Sequence, residues 1–436
     1  MVVTSFSSTS GARPGPWAVP APAAAPVHDV LIVGGGLVGA SLAIALEQLH
    51  LDVGLIEAAP PGSLPAVFDE RSLSFAEATV NALTALGVLQ KLRAPTGPIE
   101  CIHISRRGDF GRTVLEAGEH GRREFGRVVV ARDFGEALEA RLAELPRLTR
   151  YRPVRFVGLN AGADDLRAIR VADAGGERVL RTRLLVAADG TRSGVRDALG
   201  IASDEHDYGQ TLFVTRLRSQ RAPDGTAYER LGDDGPTALL PRGDRQYGLI
   251  HAVASDATDA VAALDEAAFV ARVQAAFGWR AGRFLGCGVR NQYPATRVLA
   301  RRTTTPRAVL IGNAAQTIHP VGAQGFNLGL RDALALAELI ARARAADPVA
   351  DCGEPALLDA YALRRREDRE RTVAFSDQLV RLACNPSALL RPLRSVGLFA
   401  FDRLPSVQSL LVGGAMGYRG DVPALCRTPP TGGAER

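Results

Sequence analysis

The chain is poor in the residues that build several kinds of site. Lys91 is its only lysine, so nearly all positive charge is carried by arginine. Those arginines are scattered among acids, and the formal net charge of +5 forms no continuous basic stripe, which argues against a nucleic-acid partner. The five cysteines (Cys101, Cys287, Cys352, Cys384, Cys426) are far apart, odd in number and never spaced C-x-x-C. No metal site or disulfide framework is readable from them, and a reducing cytoplasm is expected. No apolar run approaches the roughly 20 residues that cross a bilayer. Tryptophan is reduced to Trp17 and Trp279.

What remains is enough for two or three domains in 436 residues. Residues 1–26, rich in Ser, Ala and Pro, predict a disordered leader, and Arg13 alone is too little charge for a transit peptide. The cluster "RRREDRER" (364–371) mixes signs at helical spacing and predicts a solvated helix face.

Order is expected from "HDVLIVGGGLVGASLAIALEQLHLDVGLIEA" (28–58). Val30–Val33 reads as a buried parallel strand, followed by Gly34, Gly36 and Gly39 in G-x-G-x-x-G spacing. An apolar helix from about Val38 and a second strand, Val53–Ile56, lead to Glu57. In this order the elements form a dinucleotide-binding unit. Gly34 permits the tight turn, Gly36 the close approach of a pyrophosphate and Gly39 the packing of helix on strand. The first helical residues, Leu37 and Val38, then lie beside the phosphates, and Glu57 can accept hydrogen bonds from ribose hydroxyls.

Two further strand-to-helix turns follow. "RLLVAADGTRSGVRDALGI" (183–201) places Asp189 and Gly190 at a strand end. "RAVLIGNAAQTIHPVGAQGFNLGLRDALALAELI" (307–340) runs from a buried strand through a glycine-rich loop into a long helix. That loop lacks a nucleophile and a pair of metal ligands, so its backbone N–H groups and the helix N-terminus are the binding tools. Between these turns, 208–298 alternates as an antiparallel sheet does, with one helix at "EAAFVARVQAAFGW".

Three such turns in this order resemble the FAD-dependent aromatic hydroxylases, flavoprotein monooxygenases akin to p-hydroxybenzoate hydroxylase. Within them the likeness is to the ubiquinone-pathway branch, nearest the 2-polyprenyl-6-methoxyphenol hydroxylases. It extends from about residue 28 over nearly the whole chain. It rests on "GNAAQTIHPVGAQGFNLGLRD", "FDERSLSFAEATVNALTALGV", "ERLGDDGPTALLP" and "AFGWRAGR". The resemblance implies an α/β fold, α+β overall. A Rossmann-like FAD domain of glutathione-reductase and p-hydroxybenzoate-hydroxylase type would occupy 27–105, 126–205 and 300–350. Substrate-domain strands would lie at 106–125, an antiparallel substrate sheet at 206–299 and a helical region at 351–436. It implies FAD as cofactor, NAD(P)H and O2 as cosubstrates, a flavin C4a-hydroperoxide as oxidant and a polyprenylated phenol as substrate.

The same resemblance implies the flavin-side contacts: Gly312, Asn313, Pro320, Gly322, Ala323, Gln324, Gly325 and Asn327. Arg71 would reach toward flavin and pyrophosphate, Arg132 toward the adenosine, and His319 would orient substrate or tie the loop. Asp332 would support the loop. No acid or base is named, because the flavin carries the chemistry. Asn313 stands where most of the wider family has Asp, and Ala323 stands where the usual order has glycine. If the loop needs a positive φ at 323, alanine strains it.

Two other readings stay open. A flavin halogenase or reductase shares the fold, but the halogenase Trp-x-Trp segment and placed lysine are missing. A non-catalytic, FAD-holding scaffold of a quinone-synthesis complex would keep the same fingerprints. The segment 377–420, with Arg381, Arg391, Arg394, Arg403 and Arg419 among Leu, Val and Phe, is nearly free of acid. It suits peripheral contact with the inner membrane, contact with other quinone-biosynthesis proteins, or packing on its own domain. Whether the chain forms a homo-oligomer is left open.

Overall fold

The computed structural model describes residues 27–160, 165–383, 390–404, 408, 412–414, 416–418 and 420–427. The expected leader lies outside the described residues. The strand Val27–Val33, which ends in the apolar run Val30–Val33, is central in an 8-stranded sheet and wholly buried from Val30 onward. It pairs in parallel with Gly176–Ala187 on one side and Val53–Ile56 on the other. Ala308–Leu310 and Leu148–Tyr151 extend the parallel core outward. Because the strands run parallel, their C-terminal ends share one edge. All three glycine turns therefore emerge there, as in doubly wound sheets that bind ligands beyond the strand ends.

The second, 9-stranded sheet is built mostly from Ser203–Ser219, Thr226–Gly232, Gly235–Pro241, Tyr247–Ala254 and Asn291–Ala300. It is antiparallel except where Cys101–Arg106 pairs in parallel with Thr226–Gly232. The expected 105/106 boundary falls at the end of that strand. One face packs on the helix Glu266–Phe277, and the other faces the nucleotide-binding unit. A 3-stranded sheet with Ser72–Ala76 at one edge lies between them, and Gly248 approaches Ser72 so closely that a Cβ would come within 2.1 Å of its Oγ.

"RRREDRER" corrects one expectation. It lies on the helix Pro355–Ala383, but Arg365 and Asp368 are 2% exposed. Residues 365, 368, 369, 372 and 376 share an inward face at spacings of three and four, and Arg369 reaches the carbonyls of Ala300 and Ala315. Only the other face, with Arg366, Glu367, Glu370 and Arg371, is solvated. Charge alternation at helical spacing cannot distinguish a solvated helix from one whose charges pair with charges elsewhere in the chain.

Candidate active site

A cavity of about 1260 Å³ opens along the shared edge of the parallel strands. Each glycine of the first turn has a distinct steric reason. At Gly34 (φ +107°) a Cβ would sit 2.4 Å from the Ala188 carbonyl oxygen, and at Gly39 it would sit 1.9 Å from that of Gly34. Those two serve the chain's own packing. At Gly36 the nearest protein atom is Val67 Cγ1 at 3.6 Å, so its bare side faces the cavity. No side chain caps the helix Leu37–Leu46, leaving first-turn N–H groups of Leu37 and Val38 at the cavity wall. Glu57 also lines the cavity, with Oε2 accepting from Gly35 N at 2.9 Å and Oε1 from Ala59 N at 2.7 Å. Each oxygen keeps a second acceptor site.

The second turn brings Asp189 and Gly190 to the same cavity. Burial raises the Asp189 pKa, while its oxygens accept from Ser193 Oγ at 2.5 Å and Val195 N at 3.1 Å. Arg196 ties this turn to the third by donating to the carbonyls of Thr191 (3.0 Å) and Ala314 (3.3 Å).

From the glycine loop, Asn313, Pro320, Ala323 and Gly325 line the cavity. A Cβ at Gly325, the first residue of the helix Gly325–Ala346, would meet nothing within 4 Å. Gly312 (φ +57°) and Gly322 (φ +72°) shape the loop from behind. Ala323 also has a positive φ, +51°, so the strain foreseen for an alanine there is present. Left-handed backbone costs a non-glycine residue roughly 1–2 kcal/mol, and glycine returns about 0.5–1 kcal/mol of that as chain entropy. Ala323→Gly is therefore expected to stabilise the apoprotein by about 0.5–1 kcal/mol, read as an upward shift in thermal midpoint of about 1–2 °C. An unchanged or lowered midpoint would mean the strain is relieved elsewhere.

Several expected residues lie behind the wall. Asn327, 1% exposed, accepts from Ala76 N and Thr79 Oγ1 and donates to the carbonyls of Ser74 and Ala323. It clamps the loop and does not line the cavity. Gln324, 6% exposed, donates to the Gly322 carbonyl. His319 is fully buried. Its Nδ1 accepts from Val321 N at 3.1 Å, which leaves Nε2–H to donate to Gln210 Oε1 at 3.2 Å. Burial lowers its pKa to about 4, so it is a neutral loop tie. Arg132 is half exposed, paired with Glu70 and away from the cavity.

Arg71 does line the cavity. It donates to both oxygens of Asp69 and lies over the ring of Tyr293, 4.4 Å from its centroid. The Tyr293 hydroxyl donates to Asp69, and burial, with that bond, pushes its pKa up to about 12. This cluster joins the nucleotide-binding unit to the second sheet. Asp69 is adjacent to the residues singled out in sequence, but Tyr293 is 222 positions from Arg71 and no local pattern marks it.

Beneath the loop, Asp332 accepts from Gly312 N (3.1 Å), Gln316 Nε2 (2.6 Å) and Arg365 Nε (2.8 Å). Asp368 accepts from Arg331 and Arg365. Burial would raise the Asp368 pKa, but the two guanidiniums override it and hold it at about 2.

The residues present fit a flavin dinucleotide. One part of the cavity has bare glycine and helix N–H groups, and the second sheet contributes Leu212, Val214, Ile250 and Ala295 together with the polar Glu205, His206 and Asp207. Residues 27–376 match the family described as "FAD binding domain". The chain belongs to this family. With its hydroxylase relatives, described next, this makes the chain an FAD-dependent aromatic hydroxylase. It is 35% identical to "Ubiquinone hydroxylase UbiL" of Rhodospirillum rubrum over 394 residues, 90% of each chain. It is 30% identical to "3-demethoxyubiquinol 3-hydroxylase" of Escherichia coli, covering 86% of this chain and 95% of that one. Among solved structures, p-nitrophenol 4-monooxygenase PnpA from Pseudomonas putida superposes with a TM-score of 0.73 at 18% identity, covering 90% of this chain and 98% of that one. Among the described residues, no helix is long and apolar enough to cross a membrane, and no group of His, Cys, Asp and Glu could hold a metal ion.

Proposed function

We propose that this flavoprotein hydroxylates the ring of a polyprenylated phenol, of the 2-polyprenyl-6-methoxyphenol type, in ubiquinone biosynthesis. The observation that carries the reading is the size of the cavity. At about 1260 Å³ it exceeds the roughly 300–1,000 Å³ of a single-ligand cleft, and the second sheet adds the apolar side chains of Leu212, Val214 and Ile250 to its wall. The names of the relatives support the substrate class. Bound FAD, reduced by NAD(P)H, would supply oxygen activation. The chain's own residues bind, orient and exclude water. Gly36 and the first helix would hold the pyrophosphate side, and Glu57 would hold the ribose. The uncapped start of the helix Gly325–Ala346 presents positive potential to the ring side. Arg71, Asp69 and Tyr293 fix the distance between the two walls. Leu212, Val214 and Ile250 exclude water from the phenol.

The test is Gly325→Val, whose side chain would enter open cavity space. FAD content should persist, because the adenosine half is held elsewhere. Product formed per NAD(P)H consumed should fall by about ten-fold or more, with H2O2 released instead. Wild-type coupling in this variant would remove the ring from this loop.

A polyprenyl tail requires delivery from a membrane. The helix Leu390–Arg403 is anchored to the strand Arg112–Glu116, with Val114 N donating to Asp402 (2.8 Å) and Thr113 Oγ1 to the Leu398 carbonyl (3.0 Å). Its other side leaves Val396 and Phe399 more than half exposed, with the Arg403 guanidinium 5.3 Å from the Phe399 centroid. Phe110, 75% exposed, precedes Gly111, which abuts Ser395. The side chains of Arg391 and Arg394 lie outside the described residues. We infer that this face docks on an anionic membrane surface. Val396→Ser with Phe399→Ser should weaken co-sedimentation with phosphatidylglycerol vesicles by about ten-fold or more, since each buried apolar side chain contributes about 1.5–3 kcal/mol. Equal sedimentation would assign delivery to a partner protein.

A further inference from the structure

A second cavity, of about 360 Å³, lies on the face of the larger sheet turned away from the flavin cavity. His103 and Ser105 of one strand sit in register beside Tyr228 and Arg230 of the next. Their side chains share the face packed against the helix Glu266–Phe277, while the cavity-lining Val214 and Ile250 point the opposite way. Phe277, Gly278, Trp279 and Arg280, at the end of that helix, form the outer rim.

Two buried polar atoms here have no partner. His103 is 5% exposed, yet its Nε2 makes no hydrogen bond, and the Nε of Arg230 makes none either. The Nη1 of Arg230 donates to Ser105 Oγ at 3.0 Å, holding the guanidinium against the cavity wall. An unsatisfied buried donor or acceptor costs about 1–3 kcal/mol, so two facing one cavity point to a missing ligand. Its sign follows from the surroundings. Arg230 and Arg280 line the cavity, and Arg107 and Arg112 lie near enough to act electrostatically on Arg230 and His103. None of the four has a carboxylate partner among the described residues. The groups acting on His103 are Arg280 from the rim, Arg112 and Arg230 from neighbouring strands, and its own backbone carbonyl. Asp224 is the acid that acts on Tyr228 of the cluster. The helix end points partial negative charge at the rim, but Gln274 Nε2 neutralises part of it by donating to the Gly278 carbonyl at 2.6 Å.

We propose that this pocket binds a phosphate-bearing small molecule, its phosphate held by Arg230, Arg280 and His103 and its organic part covered by Trp279. The volume exceeds a bare phosphate, and Trp279, 69% exposed, gives an unused aromatic surface at the rim. A Cβ at Gly278 would meet nothing within 4 Å, which keeps the entrance clear. The pocket is separated from the flavin by the sheet, so it is a binding site and not a second reaction centre. It stands independently of the proposed substrate.

Because the site is cationic, burial and then Arg280 hold the free His103 pKa down to about 4. A bound dianion favours its protonated form, with Nε2–H donating to the anion. Affinity should therefore rise as pH falls from the bound-state pKa toward about 4 and level off below it. Sulfate, whose charge is constant in this range, isolates that dependence.

The experiment uses FAD-loaded full-length protein carrying Trp17→Phe, in which Trp279 is the only tryptophan. Sulfate, inorganic phosphate and glycerol phosphate are titrated at constant ionic strength, with Trp279 emission as readout. A saturable change is expected, weakened about ten-fold or more by Arg280→Ala, which removes an exposed charge without touching the core. His103→Gln should abolish the pH dependence of sulfate binding. Phosphatidic acid vesicles competing with sulfate would place the phosphate on a lipid. Competition by glycerol phosphate with no effect of vesicles would place it on a soluble molecule. Emission that drifts without saturation, identically in the parent and Arg280→Ala, would overturn the site.

Discussion

Gly36→Val should yield a folded, colourless protein. A Cβ there meets no protein atom closer than 3.6 Å, so the fold tolerates it, while the remaining side chain enters the space beside the first helix N-terminus. Loss of close phosphate approach to several N–H groups should lower FAD affinity by about 100-fold or more. Flavin absorbance after reconstitution and the far-ultraviolet circular dichroism spectrum check the two halves separately. Gly39→Val is the contrasting case. Its Cβ would fall 1.9 Å from the Gly34 carbonyl oxygen, so that variant should lose the fold along with the cofactor. A yellow Gly36→Val protein would contradict the assignment of the pyrophosphate to this turn.

The second large effect is on stability. Asp368 and its partners Arg331 and Arg365 are each about 2% exposed, and Asp332 ties the same cluster to Gly312. Asp368→Asn would strand buried positive charge and should cost about 3–5 kcal/mol near neutral pH. The pH dependence has a definite sign. The folded carboxyl, at about 2, lies below its unfolded value of 3.8. Its contribution is therefore complete above roughly pH 5 and is lost as pH falls toward 2. Denaturation of both proteins across that range should show the gap closing in acid. A gap of under about 1 kcal/mol at pH 7 would place the network among surface ion pairs.

The three glycine turns and the position of Glu57 at a strand end were legible in sequence because each depends on backbone geometry a few residues long. The strand Val53–Ile56 emerged with its expected ends for the same reason. What supports the loop was not legible. Arg365, Asp368 and Arg369 have the helical spacing of any solvated charged helix, and only their partners on other elements distinguish them. His319 and Asn327 sit inside the motif that suggested cofactor contact, yet both are turned to Gln210, Val321, Ala76 and Thr79. A motif locates a loop, but it does not say which side chains face the ligand and which hold the loop in place. No local pattern marks Tyr293 or the unpaired His103, because their significance arises from pairing between strands distant in sequence.

The central claim is that one cavity holds FAD and a polyprenylated phenol and delivers oxygen to the phenol ring. The most direct measurement supplies the purified flavoprotein with such a phenol, NAD(P)H and oxygen-18 gas, and analyses the product by mass spectrometry. One oxygen-18 atom should enter the ring for each NAD(P)H consumed, with consumption stimulated by the phenol. A protein that binds FAD yet consumes no NAD(P)H in response to any polyprenylated phenol, and labels none, would contradict it.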